Sequence, residues 1–341
     1  MPGRVTVKDV AAQAGVSAMT VSYAFNRPGR VAEDTRRRVL EVADRLGYRP
    51  DRTARALRSG RSGQLGVVLG EHLSYAFDDP QAAQFLAGVA DVCVEDGLGM
   101  VLIPTVGDSG DVDRVRDAAV DAYVLWTTTD DDPVLAAVGA SGRPAAVQGG
   151  PARPGIARVG PDDRAAAAAV AAAALAGGGT PVVVSFPLDR SRAAVVGPAA
   201  GLPGRVPFPV TRERLAGYRD AVTAAGRDWA TVPVAVVERN ERAQGAWAAR
   251  ALGLGAGAVV LAMSDELALG VHAELGGRPA RITGWDASAP ALAAGIVSVT
   301  NPLRAQGRAC ARAALDPSAP IPEVVWEVAG GPSQGISPSR S

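Results

Sequence analysis

VTVKDVAAQAGVSAMTVSYAFN, residues 5–26, decides the fold at the amino-terminal end of this chain. Thr6 and Asp9 have the spacing of a capping box, in which a hydroxyl and a carboxylate bond free amides at a helix start. Apolar residues then recur at helical spacing as far as Ala14. Gly15 indicates a tight turn, after which Ser17 can cap a second helix. The pattern predicts two short helices joined by a turn of three or four residues.

Such a pair of helices has two interpretations. It is a helix-turn-helix, whose second helix fits the major groove of DNA, or it is a plain helical hairpin, which is commoner. Short hydroxyl and amide side chains suit contacts to phosphate, and the second helix carries several of them. They are Ser17, Thr20, Ser22 and Asn26. These side chains favour the helix-turn-helix.

Charge is distributed unevenly along the chain. Residues 1–61 contain 12 Arg and 1 Lys against 6 acidic residues, a formal charge of +7, whereas the neutral total leaves −7 on residues 62–341. A basic amino-terminal segment followed by an acidic remainder is typical of a protein with a nucleic-acid-binding module. A solvated arginine-rich helix gives the same count, but the helix-turn-helix pattern argues against that reading.

The remainder of the chain has the pattern of an α/β protein. The 341 residues are 48% hydrophobic but only 4% aromatic, and a chain of this length usually forms two or three domains. From Gln64 onward, short β-branched runs alternate with alanine-rich helical stretches, which predicts parallel sheets with right-handed crossovers. Ligands of such sheets bind at the carboxyl ends of the strands. We expect strands at 65–69, 99–104, 122–126, 144–148, 181–186, 258–262 and 281–285.

Several classes of protein are disfavoured by the sequence. No apolar run approaches the ~20 residues of a membrane span, and the amino terminus has no apolar signal core, so we expect a cytoplasmic protein. Cys93 and Cys310 lie in alanine-rich segments and are expected to be buried thiols in a reducing compartment. His72 and His272 are the only histidines, and neither lies near a catalytic or metal-ligand motif. We therefore expect no enzyme, no metal and no cofactor.

Four motifs resemble one family closely. DVAAQAGVS, TVS, LGYRP and ARALRSGRS, which all fall within residues 9–62, are similar to the DNA-binding headpiece of the lactose-repressor (LacI/GalR) family of bacterial transcription regulators. The rest of the chain matches more loosely, in the same order. The resemblance implies an all-α helix-turn-helix headpiece with a hinge helix, followed by a periplasmic-binding-protein-like α/β core of two Rossmann-like subdomains.

The resemblance also implies domain boundaries. The headpiece would span residues 1–50 and the hinge helix with its linker 51–63. The effector-binding and dimerisation core would span 64–332, with a disordered tail at 333–341. Its first lobe would comprise residues 64–161 and 287–316, and its second lobe 162–286 and 317–332.

Residues for DNA binding follow from the matched motifs. The resemblance places Ala18, Met19 and Tyr23 at the base edges and Arg30 near the phosphates, which Thr6, Ser17, Thr20, Ser22 and Asn26 would also contact. The segment DRTARALRSG would be a hinge helix that is too short to be stable alone. Its Leu57, flanked by Ala54 and Arg58, would enter the minor groove of the DNA. A flexible linker is the alternative, because Ser59, Gly60, Ser62 and Gly63 have the composition of one.

The resemblance implies effector-binding residues in four segments, 72–77, 159–166, 212–222 and 263–270, and at the end of the strand 281–285. The resemblance assigns this role to Ser74, Tyr75, Phe77, Asp162, Arg214, Asp265 and Trp285. For several of them a structural role is the alternative: Asp265 and Arg214 as an ion pair or helix cap, Asp162 as a helix cap, and Tyr75 and Phe77 as loop packing.

The function implied is a homodimeric repressor. It would bind a palindromic operator in double-stranded DNA, and a small molecule, most simply a carbohydrate, would control its affinity. The alternatives are a nucleobase or other non-sugar effector, activation in place of repression, and a ligand-binding receptor without DNA function. The tail lacks leucine heptads, which favours a dimer over a tetramer.

Leu57→Ala tests the hinge assignment. The substitution removes the apolar wedge, so tight operator binding should be abolished while the circular-dichroism spectrum and thermal unfolding stay unchanged. A gel-shift titration measures the affinity. An unchanged dissociation constant would refute the assignment.

Overall fold

The computed structural model describes residues 5–49, 60–70 and 73–330 of the chain, and the side chains of Asn26 and residues 73–75 are not among them. Ala54, Leu57 and Arg58, which the sequence assigns to the hinge, therefore lie outside the described residues, as does the tail at 333–341. The chain divides into two compact units, one ending at Ser62 and the other beginning at Gly63.

In the amino-terminal unit, residues 5–49 form three α-helices: α1 (Val7–Ala14), α2 (Ala18–Asn26) and α3 (Glu33–Arg45). The Asp9 carboxylate accepts hydrogen bonds from the Thr6 amide and hydroxyl, at 2.8 and 2.7 Å, as the capping-box spacing predicts. Gly15 ends α1 in the left-handed region (φ 64°), which a residue without a Cβ adopts without strain. The Ser17 hydroxyl then accepts from the Thr20 amide and begins α2. The predicted helix-turn-helix is confirmed.

A small apolar core holds these three helices together. Val10, Val21 and Val39, one from each helix, are fully buried. The rings of Phe25 and Tyr48 meet edge to face, with their centroids 5.9 Å apart, and close the carboxyl end of α2 against the end of α3. The headpiece therefore has a core of its own.

The second unit begins with a five-stranded parallel sheet whose order is β2-β1-β3-β4-β5. Its strands are β1 (Gln64–Leu69), β2 (Gly99–Pro104), β3 (Ala122–Trp126), β4 (Ala145–Gln148) and β5 (Ile156–Val159). The helices between them are α4 (Leu73–Asp78), α5 (Pro80–Glu95), α6 (Gly110–Asp117) and α7 (Pro133–Ala140). Apolar clusters cover both faces of the sheet, as βαβ crossovers require.

A seven-stranded sheet of order β12-β11-β10-β9-β6-β8-β7 forms the second lobe, and only its edge strands β7 and β12 are antiparallel. Its strands are β6 (Thr180–Ser185), β7 (Val195–Pro198), β8 (Pro233–Val236), β9 (Ala258–Ala262), β10 (Arg281–Asp286), β11 (Val297–Thr300) and β12 (Val328–Ala329). Its helices are α8 (Asp163–Leu175), α9 (Pro209–Ala224), α10 (Arg242–Ala251), α11 (Asp265–Leu275) and α12 (Ala289–Ala293). All seven predicted strands are confirmed. The sequence patterns missed β5, β7, β8, β11 and β12, which have at most four residues each.

The chain returns from the second lobe to the first at a different point from the one predicted. The sequence places the return to the first lobe near Ala287, but β11 pairs with β10 in the second sheet, so the return follows Thr300. The last helix, α13 (Leu303–Leu315), then packs against α5 and the first sheet. The prediction failed because the run VSVT at 297–300 is too short to register as a strand.

Close packing of helix pairs depends on glycines in both lobes. Gly88 of α5 and Gly307 of α13 face each other's helix so closely that an added Cβ would overlap a carbonyl oxygen, of Arg304 and Phe85 respectively. Gly245 of α10 and Gly270 of α11 make the same reciprocal contact. Gly217 allows a similar approach of α9 to α8. These glycines are therefore required because the paired helices approach each other too closely for a Cβ atom, and not because of their backbone conformation.

None of the helices in the described ranges has the length and apolar character needed to cross a membrane. Cys93 and Cys310 are both buried free thiols in the core of the first lobe, as predicted. Within residues 5–49, 60–70 and 73–330, no group of three His, Cys, Asp or Glu side chains is arranged to hold a metal ion.

Gly307→Ala tests the helix contact. Its Cβ would overlap the Phe85 carbonyl, so the free energy of unfolding should fall by about 1–3 kcal/mol. Urea denaturation followed by circular dichroism measures it. Gly139→Ala in α7 is the matched control, since open space surrounds Gly139 and the change should gain up to about 1 kcal/mol in helix propensity. Equal effects at the two positions would contradict the packing argument.

Candidate functional site

A cavity lies between the two lobes at the carboxyl ends of their strands. It encloses about 750 Å³, part of which is open to solvent. Aromatic and apolar side chains alternate around it with charged groups and amides, the composition usual in small-molecule sites. The lining residues are Asp79, Gln81, Trp126, Thr127, Gln148, Phe186, Pro187, Arg192, Phe208, Val210, Thr211, Arg214, Asn240, Asp286, Asn301 and Leu303.

Arg214, which the sequence predicts as a polar clamp, lies at the base of this cavity and is only 6% exposed. Its Nε donates to the Asp163 carboxylate at 3.0 Å, and Nη1 donates to the Met263 carbonyl. Its guanidinium lies 3.5 Å from the centre of the Trp285 ring, close enough for a cation–π contact. Arg214 therefore lines the cavity and also forms a structural ion pair, the alternative that the sequence left open. The partner in this ion pair is Asp163.

Asp286 provides an acidic group on the other side of the cavity. It ends β10 with φ at 114°, a left-handed conformation that is strained for a residue with a Cβ. The Asn301 amide donates to its carboxylate at 3.0 Å. Removal of water by the surrounding protein raises the pKa of Asp286 well above its ordinary value, and the Asn301 hydrogen bond opposes this only in part.

Two ion pairs bridge the lobes beside the cavity. Arg212 on α9 lies 2.7 Å from the Asp130 carboxylate in the loop after β3. Arg205, also from the second lobe, lies 3.5 Å from Asp131. Each pair is partly exposed, so each contributes at most about 1 kcal/mol. Together they favour contact between the lobes at this edge.

Asp265 does not line the cavity, contrary to the sequence expectation. It is 1% exposed, and its two carboxylate oxygens accept from the Ser298 hydroxyl at 2.7 Å and the Ser288 amide at 2.6 Å. Gly284 leaves the space for this carboxylate, which an added Cβ would fill. Asp265 therefore joins the first turn of α11 to the segments that follow β10, a structural role.

Trp285 is not available to stack on a ligand. Its side chain is fully buried in the core of the second lobe, beneath the Arg214 guanidinium. The alternation of side chains along β10 explains this burial, because Asp286, the next residue, faces the cavity when Trp285 faces the core. Trp285 supports Arg214 from below.

Two other predicted residues lie away from the cavity. The exposed Asp162 accepts a hydrogen bond from the Ala165 amide at 2.9 Å, so it caps α8, the alternative that the sequence left open. Its neighbour Asp163 is the buried carboxylate. Phe77 on α4 is 65% exposed and is not part of the lining. The side chains of Ser74 and Tyr75 lie outside the described residues.

Sequence reasoning missed several residues of the cavity that follow strand ends. Gln148 ends β4, Asp286 ends β10, and Asn301 follows β11. Phe186 follows β6 in the same way. The rule that ligands bind at the carboxyl ends of parallel strands contains this signal. Applied to each strand in turn, it indicates these positions without any motif.

The second helix of the headpiece presents a mixed surface. Met19 is 61% exposed, while Ala18 packs partly against the headpiece core. The Ser17 and Thr20 hydroxyls are hydrogen-bonded to each other at 2.9 Å, and Tyr23 is partly exposed. Arg30 lies in the exposed turn that follows. Exposed apolar, hydroxyl and basic groups thus occur together on and beside α2.

Asp286→Asn tests the charge at the cavity. With its raised pKa, Asp286 binds a proton more tightly in the folded than in the unfolded protein, so its contribution to stability is lost as pH rises above its ordinary value. Without a ligand, the variant should unfold at a higher temperature at about pH 8, and its advantage should shrink towards about pH 5. Thermal unfolding across this range measures it. Asp117→Asn, at an exposed helix end, is the control, and parallel curves for Asp286→Asn and the native protein would contradict the assignment.

Known proteins match both the headpiece and the whole chain. Residues 6–51 match the bacterial regulatory proteins of the lacI family. The HTH-type transcriptional regulator Rv3575c of Mycobacterium tuberculosis is 36% identical over 330 residues, covering 92% of this chain and 91% of its own. The HTH-type transcriptional regulator IpsA of Corynebacterium glutamicum is 33% identical over 356 residues, 98% of each chain.

Solved structures share the architecture. The crystal structure of a LacI-family transcriptional regulator from Corynebacterium glutamicum superposes with a TM-score of 0.69 and 29% identity, over 97% of this chain and 98% of the other. These relatives are regulators and not enzymes, in agreement with the sequence prediction. The helix-turn-helix, the two-lobed α/β core and these matches together establish that the chain is a DNA-binding transcriptional regulator of the LacI family.

Proposed function

We propose that this protein is a cytoplasmic homodimeric repressor whose affinity for a palindromic operator is controlled by a carbohydrate bound in the cavity between the lobes. The observation that carries the proposal is the cavity itself, which joins flat aromatic faces to carboxylate, amide and guanidinium groups. The same chain contains the helix-turn-helix, so sensing and DNA binding occur in one molecule.

The chemistry of the lining supports a carbohydrate. Trp126, Phe186 and Phe208 offer apolar surfaces for the C–H faces of a sugar ring. Around them, Asp286 and Asn301 offer hydrogen-bonding groups for ring hydroxyls. Arg214, held rigid by its buried partners, is preorganised to accept a ligand without further ordering.

Control of DNA binding follows from the position of the cavity. The ligand contacts both lobes, so it favours the arrangement of the lobes in which those contacts form. In a dimer held by the core, a change between the lobes alters the spacing of the two hinge segments and headpieces. The effector therefore shifts the population between DNA-competent and DNA-incompetent states.

In this proposal, the headpiece recognises the DNA sequence through α2. Met19 and Tyr23 contact base edges in the major groove, Met19 through hydrocarbon and Tyr23 through its hydroxyl. Ser17, Thr20 and Arg30 contact phosphates and set the register. Two headpieces in a symmetric dimer require two half-sites in inverted orientation.

Tyr23→Ala tests this proposal. Selection of binding sites from random DNA by the full-length protein should yield an inverted repeat. The substitution should weaken binding to that repeat about tenfold to a hundredfold, the usual effect of one lost base contact. Binding to unrelated DNA, measured by the same gel shift, should stay unchanged.

Arg38→Ala on α3 is the matched control, because it removes an exposed positive charge from the headpiece but does not alter α2. An equal loss of affinity in both variants would mean that Tyr23 makes no base contact beyond the general attraction of the headpiece for DNA. Failure to select any repeat, or a monomer at the concentrations used, would overturn the proposed mode of binding.

A further inference from the structure

The loop that follows β3, residues 127–132, is attached to the first lobe at both of its ends. The Thr127 amide donates to the Gln148 carbonyl at 2.8 Å. At the other end, the Asp132 carboxylate accepts from the Val134 amide at 3.0 Å and begins α7. This segment, which we call the Asp130 loop, therefore moves with the first lobe.

The middle of the Asp130 loop is held by the second lobe. The Asp130 amide donates to the Pro207 carbonyl at 2.9 Å, and the Asp130 carboxylate accepts from Arg212 Nη1 at 2.7 Å. Its carbonyl accepts from Arg153, a residue of the first lobe. The amide, carboxylate and carbonyl of Asp130 are thus all hydrogen-bonded, and two of the three bonds cross between the lobes.

The same loop has unfavourable local geometry. Thr127 has a φ of 50°, in the left-handed region that β-branched residues rarely adopt. Thr128 and Thr129 are buried, and no protein group in the described part of the chain forms a hydrogen bond with either hydroxyl. A buried hydroxyl without a partner destabilises the conformation that contains it. The contacts of Asp130 to the second lobe therefore hold the loop against local strain.

The lobes are linked in a different way where the chain crosses between them. Gln148 donates to Gln306 at 3.1 Å, and Gln306 donates to Asn301 at 2.7 Å. Gln306 is 1% exposed, and Asn301 lies in the crossing segment itself. This link is buried and accompanies a covalent connection. The contacts of Asp130 have no covalent connection beside them, so they must break before the lobes can separate around the crossing segments.

The contacts of Asp130 are weak enough to break. The Arg212 side chain is 39% exposed and that of Asp130 is 28% exposed, so water and salt screen their attraction. The neighbouring pair of Arg205 and Asp131 is more exposed still. One backbone hydrogen bond completes the link. Opposed by the strain at Thr127, these contacts leave the attached and the released loop close in free energy.

Both sides of this link reach the cavity. Thr127 lines it from the first lobe, and Phe208, Val210 and Thr211 line it from the second. The last three residues lie between Pro207 and Arg212, the two partners of Asp130. A molecule in the cavity that contacts both groups of lining residues therefore favours the attached loop.

We propose that the Asp130 loop is a latch between the lobes. In the attached state Asp130 is bonded to Pro207 and Arg212 and Thr127 is strained, whereas in the released state these bonds break and Thr127 relaxes. Protein groups alone form the attached state, and a molecule bound in the cavity shifts the balance towards it. The coupling of the latch to operator binding rests on the proposed function, but the latch itself does not.

Amide hydrogen exchange of the full-length protein, followed by mass spectrometry of peptides that contain residue 130, tests the latch. The Asp130 amide is protected while it donates to Pro207. Arg212→Met removes the cation and keeps a long side chain, so this amide should exchange about threefold to fivefold faster. Arg219→Met, at an exposed arginine further along α9, is the matched control and should leave the rate unchanged. An unchanged rate in Arg212→Met, or an equal change in both variants, would overturn the latch.

Thr127→Asn should have the opposite effect. Asparagine adopts the left-handed region more readily than a β-branched residue does, so the attached state becomes less strained. The amide of residue 130 should then exchange at least about threefold more slowly. General loosening of the loop cannot produce changes in both directions. Exchange that is unchanged or faster in Thr127→Asn would show that strain at this residue does not oppose the latch.

A double-mutant cycle identifies the ion pair as the link. Asp130→Ala and Arg212→Met break the same contact, so the double variant should show about the protection of the less protected single variant, after correction for intrinsic exchange rates. Effects that multiply would mean independent roles and would overturn the pair. Salt provides a test without substitutions, because raising it from about 20 mM to about 1 M should speed exchange in the native protein but not in Arg212→Met.

Gel shifts with the selected operator test the coupling of the latch to DNA binding. Arg212→Met and Thr127→Asn shift the latch in opposite directions, so they should change operator affinity in opposite directions. Altered exchange with unaltered operator affinity would overturn the coupling, while the latch would stand. Failure to select any operator would overturn the proposed function and would leave the exchange results as evidence for the latch.

Discussion

The cavity depends on one buried cation. Arg214 brings together the start of α8 through Asp163, the end of β9 through Met263 and the end of β10 through the Trp285 ring. Loss of one member of a buried ion pair leaves an uncompensated charge and typically costs about 3–5 kcal/mol. These contacts therefore fix the floor of the cavity and the positions of three elements of the second lobe at once.

The same arrangement explains why a polar site is stable inside an apolar fold. Parallel sheets with both faces covered leave their strand ends as the places where polar side chains can meet. Asp265 uses its two oxygens to hold the segments after β10, and Asp163 neutralises Arg214. Among the described residues, the Asp286 carboxylate accepts a hydrogen bond from a single side chain, Asn301. The hydrogen-bonding capacity of the cavity is thus less satisfied on the Asp286 side than on the Arg214 side.

The path of the chain determines what crosses between the lobes. Because β11 stays in the second sheet, the return segment runs past the cavity mouth and brings Asn301 beside Asp286. The helix that follows, α13, is pressed against α5 through Gly88 and Gly307, so Gln306 is held at a fixed distance from Gln148. A polar link between the two lobes is therefore built from the crossover itself.

The sequence by itself determined the headpiece, seven of the twelve strands described and the location of Arg214, because caps, turns and hydrophobic periodicity act between residues a few positions apart. It misplaced the return of the chain and assigned Asp265, Asp162, Phe77 and Trp285 to the cavity. It also missed Asp286, Asn301 and Gln148. Only the tertiary structure decided these points, since neighbouring residues on one strand face opposite sides and partners such as Gln148 and Gln306 are 158 positions apart. Which of two adjacent side chains lines the cavity is settled by packing between distant segments, and no local pattern contains that information.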